Sequence, residues 1–181
     1  MKAFTLYQPW ASLVIAGAKP FEFRGWNFMD RYPRMKGQRI VIHASARKIK
    51  PGEVHDLLDA LRDGGEAWAA TCLNAEQAAP VLDAALAMTL CDSDGSMWLP
   101  YGAGLGTVVL GEPRNGIEIA QRDFGYPVDE EVPGLPGFDS DRRDHANWGW
   151  PMLDIEAWPQ PIPMRGFQGF WNWPTPEAAG L

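Results

Sequence analysis

The sequence predicts a single mixed α+β domain built on a small, partly open β-barrel. Three observations carry that prediction. Residues 1–24 read as strand, short helix, strand. Residues 51–90 are rich in Ala and Leu with helical periodicity. The stretch from Trp148 to Trp173 alternates aromatic residues with Pro and Gly. Strands on both sides of a helical insert fit the α+β class.

Taken in order, residues 3–6 form a first strand. Pro9 suits the opening turn of a helix, where its missing N–H is not needed. Trp10, Leu13 and Val14 recur at helical spacing and make one apolar face. Gly17 is placed to end that helix in a left-handed cap, after about two turns. Alternation makes residues 21–24 a strand, with Phe21 and Phe23 on one side and Glu22 and Arg24 on the other. A loop carrying Asp30, Arg31 and Pro33 follows. Gly37 then turns the chain into RIVIHAS, residues 39–45, a buried strand. Helices are expected over 53–62 and 75–88. Gly64–Gly65 interrupts the first helical region, and Pro80 argues for a start of the second later than Ala75. LGTVVLGE, residues 105–112, is a strand bounded by glycines. Residues 120–145 read as a long acidic surface loop. The stretch from Trp148 to Trp173 supplies closing strands and a tight turn near Arg165–Gly166. One domain therefore spans 1–175, with a helical insert over about 51–90 and a frayed tail at 176–181.

Bulk properties narrow the function. A chain of 181 residues can bury a core without disulfides or metals. Cys72 and Cys91 form no CxxC pair and have no paired histidines beside them, so neither a zinc site nor a disulfide framework is expected. His145 and its neighbouring aspartates read as solvated loop rather than as a metal site. Gly104-x-Gly106 lacks the third glycine and the helix start of a dinucleotide loop. No cofactor is expected. The N-terminus does not read as a signal peptide, and no apolar run reaches membrane-spanning length. The expectation is a cytoplasmic protein with no membrane partner. A formal net charge of -7 opposes binding of long duplex nucleic acid. It leaves room for a local basic cleft that takes one nucleotide or a short strand. Five of the nine tryptophans fall between Trp148 and Trp173. Large aromatics fill a small barrel, and Trp148, Trp150 and Trp171 are also candidates to wall a base-sized pocket.

The segment GAKPFEFR concentrates the candidate chemistry. Glu22 and Arg24 are two apart on one strand face, so their side chains are neighbours. They can pair with each other or be bridged by a ligand. Lys19, in the turn before that strand, can reach the same place. Two cations beside one carboxylate make a locally positive pocket suited to a phosphate or a polar base edge. Gln8 could read a base edge through its amide. Trp10 is a stacking platform or a core knob. His43 and Ser45 end a core strand. Arg165, Gly166 and Gln168 occupy a tight turn able to offer N–H groups and a cation to an anion. The cations from Arg34 to Lys50 either track a phosphate backbone or form a solvated face.

GAKPFEFR carries the pattern GxKxxExR, and with LYQPWASLVIAG before it and IVIHASA, LGTVVL and MRGFQGFWNW after it the chain resembles the ASCH domain family of the PUA-like superfamily. The resemblance implies a PUA-like barrel. It also implies recognition of single-stranded RNA, a nucleotide or a modified base in a cleft beside the motif. Lys19 and Arg24 would hold phosphate or base oxygens, and Glu22 would accept from a base amine. Some proteins similar to this family are amidohydrolases acting on acylated cytosine nucleosides. They use the motif lysine, and a threonine where this chain has Glu22. A hydrolase reading, on such a nucleoside or on single-stranded RNA, would rest on Lys19 and Glu22, with His43 or Glu22 moving protons. A transcription- or translation-related protein-interaction module is the third reading.

Overall fold

The computed structural model describes residues 1–89, 99–127 and 147–174. In chain order the elements are β1 (Lys2–Leu6), α1 (Trp10–Ile15), β2 (Phe21–Arg24), two short 3-10 turns (Phe28–Asp30 and Pro33–Met35) and β3 (Arg39–Ala44). Three helices follow, α2 (Pro51–Asp63), α3 (Gly65–Thr71) and α4 (Ala75–Thr89). The chain continues through β4 (Ala103–Leu110), β5 (Arg114–Asn115), α5 (Gly116–Phe124), β6 (Trp148–Pro163) and β7 (Phe170–Asn172). This is an α+β architecture with a curled, open half-barrel sheet.

The strands lie in the order β2-β6-β4-β3-β1-β7, with β5 also paired to β6. β1 and β3 are parallel, so Leu6 and Ala44 bring their C-terminal ends together. β6 crosses between the two halves of the sheet. Its first residues pair with β2 and β5, and its later ones with β4. Irregular register at Gly104/Gly106 and Thr107/Val109 bends the β4–β6 pair. β2 and β7 are the free ends of the sheet. Rings rather than a ladder tie β7 across to β6: Phe170 of β7 stacks on Trp150 of β6, with centroids 5.8 Å apart and planes at 15°. Phe4 and Phe28 pack against the same indole.

α1 is apolar on more than one side because it lies between two cores. Ala11 and Val14 face the barrel interior. Leu13 joins Val54, Leu58 and Leu82 in a second core formed with the helical insert. Gly17 ends the helix at φ 76, the left-handed geometry the sequence predicts.

Two expectations need correction. α4 starts at Ala75 and runs through Pro80. Pro80 is exposed, and so is Glu76, whose carbonyl a proline four residues on cannot serve. Gly64 ends α2 and Gly65 opens α3, the interruption the sequence predicts. Residues 120–124 belong to α5 rather than to an acidic loop. Asn115 Oδ1 accepts from the N–H groups of Ile117 and Glu118, and Gly125 closes the helix in the left-handed conformation. The rest of the expected loop from 128 onward, with His145, lies outside the described residues, as do Cys91 and residues 175–181. Among the described residues no helix is long and apolar enough to cross a membrane.

Candidate functional site

β2 positions the charged motif, but at two depths. Lys19 and Glu22 are each 1% exposed. Glu22 Oε2 lies 3.6 Å from Lys19 Nζ, and Glu22 Oε1 lies 2.6 Å from Arg24 Nη2. The lysine stem is packed away, and its ammonium sits 4.8 Å from the centre of the Trp10 ring. Trp10 itself belongs to the helical core. Arg24 alone of the three reaches out, its side chain 29% exposed. Its guanidinium lies over the Phe4 ring at 5.2 Å.

Arg24 opens onto a cleft of about 980 Å³. The C-terminal ends of β1 and β3 contribute Thr5, Tyr7, His43 and Ser45 to its lining. The turns after β2 contribute Trp26, Arg31 and Tyr32. The segment that leads into β7 contributes Arg165, Gly166, Phe167 and Gln168. The cleft thus lies between the two free ends of the sheet. Its lining holds three arginines and, among the described residues, no carboxylate. Arg31 stands 5.7 Å from the Trp26 ring and Arg165 5.9 Å from the Phe167 ring. Tyr7, Tyr32 and Phe167 are 55%, 42% and 56% exposed, which places three of the most exposed large apolar side chains at one cleft.

His43 is fixed on both ring nitrogens. Nε2 lies 2.9 Å from the Met164 carbonyl, which can only accept, so Nε2 carries the proton. Nδ1 then accepts from the Thr5 hydroxyl at 3.3 Å, and Thr5 Oγ1 accepts from Trp171 Nε1–H at 3.1 Å. Burial lowers the His43 pKa below the usual 6.5, and the bond to Met164 offsets part of that effect. Gly166 has no room for a Cβ, which would press on the His43 ring and on Thr5 Oγ1. The imidazole is therefore neutral and clamped, a wall of the cleft.

The nine candidate residues divide in two. Arg24, His43, Ser45, Arg165 and Gln168 meet at the cleft, and Lys19, Glu22, Gln8 and Trp10 do not. Gln8 is 3% exposed and spends its amide on structure. Nε2 donates to the Pro100 carbonyl and to Ser12 Oγ, and Oε1 accepts the Ser12 N–H, a donor at the start of α1 that Pro9 cannot satisfy. Ser45 Oγ accepts from the Arg47 N–H at 3.1 Å and holds the turn that borders the cleft. Trp150 is fully buried and Trp171 nearly so; both belong to cores, and Trp148 packs beside Trp150. The aromatic wall comes instead from Tyr7, Trp26, Tyr32 and Phe167. Arg and aromatic residues one or two apart, Arg31–Tyr32 and Arg165-Gly-Phe167, were the available signal; the bend expected at Arg165–Gly166 lies instead at 168–169.

Other chemistry finds little support. Burial pushes the Cys72 thiol up to about 12, far from a reactive thiolate. Among the described residues no group of three His, Cys, Asp or Glu side chains is placed to hold a metal ion. No protein-family model matches this chain, and no curated protein matches it.

Proposed function

We propose that the half-barrel is PUA-like and that its cleft recognises single-stranded RNA or a nucleotide. One observation carries the reading. In a chain of net charge -7, three arginines and three exposed aromatic rings converge on a cleft whose described lining has no carboxylate. Guanidinium groups bind phosphate as a planar fork, and exposed rings stack on unpaired bases. Arg24 is aimed by Glu22, which is held in turn beside Lys19. The motif then acts as a support for one cation at the cleft rather than as three groups that all touch the ligand.

Recognition is favoured over turnover on geometry. Lys19 and Glu22 are buried and absent from the cleft lining, and both His43 ring nitrogens are engaged within the protein. The test is fluorescence anisotropy with a labelled oligouridylate and with uridine monophosphate as competitor. Arg24→Ala and Arg165→Ala should each weaken binding on the order of tenfold, with the oligonucleotide unchanged after prolonged incubation. Equal affinity of wild type and both variants would place any binding elsewhere. Cleavage of the strand would restore the hydrolase reading.

A further inference from the structure

The arginines of the cleft do not exhaust the cations on this face. Arg47 and Lys48 are exposed and follow Ser45 and Ala46, which line the cleft. The Arg47 guanidinium lies 4.9 Å from the centre of the Tyr7 ring, and Tyr7 lines the cleft. Lys48 Nζ lies 4.2 Å from the centre of the Tyr101 ring, next in sequence to the cleft residue Gly102. The two pairs stand on backbone tied to the cleft wall. Ser45 N–H donates to the Leu6 carbonyl, Gly102 N–H to the Ser45 carbonyl and Met164 N–H to the Gly102 carbonyl. Among the described residues Arg47 pairs with Glu53, at 3.9 Å with both side chains largely in solvent, a contact of little strength.

Arg31 and Tyr32 reach the cleft from the turns after β2, whereas Arg47 and Lys48 stand on the segment that leaves it after β3. We propose that the cleft is a through-passage for an RNA single strand. The strand leaves over Tyr7, and Arg47 and Lys48 hold its phosphates outside the cleft. This rests on the reading of the cleft as an RNA or nucleotide site and adds the form of the ligand, a strand rather than a lone nucleotide. Five cations and the rings between them suit roughly four nucleotides, the low end for small single-strand-binding folds.

The experiment compares uridine monophosphate with oligouridylates up to the octanucleotide, on the full chain and on the double variant Arg47→Ala, Lys48→Ala. The wild type should bind the octanucleotide at least about tenfold more tightly than the monophosphate. The double variant should bind the monophosphate as the wild type does, which also reports an intact fold. It should bind the octanucleotide on the order of tenfold more weakly. Its plot of log K against log salt should be shallower by about 1.4, two phosphates at 0.7 each. An octanucleotide bound no better than the monophosphate would overturn the passage and leave the cleft reading standing. A double variant equal to wild type on the octanucleotide would do the same. Failure of both ligands to bind the wild type would overturn the cleft reading, and the passage with it.

Discussion

A buried ammonium is tolerated where an anion answers it. Lys19 is 1% exposed, and the Glu22 carboxylate beside it also holds the Arg24 guanidinium. Removing one member of a buried charged pair costs far more than the pair contributes. Glu22→Ala should therefore destabilise the fold by about 3–5 kcal/mol, read by urea denaturation. Arg24→Ala should cost distinctly less, because its side chain reaches solvent and Lys19 still faces Glu22. A Glu22 variant as stable as Arg24→Ala would mean that the carboxylate serves a ligand rather than the fold. His43 gives a second residue-scale prediction. Its folded pKa is lowered, so below 6.5 the unfolded chain binds the proton that the folded chain refuses. The stability this group contributes is present above pH 6.5 and is lost as pH falls below it. Denaturation midpoints at pH 7.5 and 5.5 should separate more for the wild type than for His43→Phe, whatever that variant costs at neutral pH.

At the scale of elements, β4 and β6 set the curl that leaves the cleft open. Gly106 sits where a Cβ would meet the Glu156 carbonyl and, at 3.1 Å, the Ala157 Cα. Those are backbone atoms of a paired strand and cannot turn aside. A Cβ at Gly104 would meet the Trp173 and Trp158 rings, which can tilt. Gly106→Ala should cost about 1–3 kcal/mol in chemical denaturation, and Gly104→Ala less. The reverse order would mean that the rings are locked more firmly than the strand. This pair also shows what the sequence could tell. Strand periodicity located β1 to β4, and alternation put Glu22 and Arg24 on one face. Depth was not legible: Lys19 is buried by Trp10 and Phe23, residues the fold brings over it. Asn115 and Gly125 bracketed α5 in plain view, but the acidic, glycine-rich composition that follows masked the helix. Tyr7, Arg31, Tyr32 and Phe167 come from segments outside the helices and strands, which have no period to read.

At the scale of the whole molecule, the formal charge of -7 and the arginine-lined cleft act on different lengths. Contact with phosphate is local. Repulsion of a polyanion acts over about a Debye length, roughly 8 Å at physiological salt, and grows as salt is removed. A strand filling the cleft alone would meet three arginines and give a salt slope near -2, at about 0.7 per phosphate. A strand that continues to Arg47 and Lys48 would approach about -3.5. Nucleotides beyond those cations gain no further cation of the cleft and are opposed by the chain's net charge of -7. Affinity should therefore rise with length to roughly four nucleotides and then level off, instead of climbing as it does for a basic, sequence-blind binder. A duplex fares worse, because its bases are paired and stacked and cannot reach Tyr7, Tyr32 or Phe167. Double-stranded RNA of the same sequence should bind at least about tenfold more weakly than the single strand, the loss of one or two stacked bases. Anisotropy titrations between about 50 and 200 mM salt measure both quantities. Affinity that kept rising with length, or a duplex bound as well as the strand, would show a surface-wide electrostatic contact. Neither the charge of this chain nor the position of its described arginines provides one.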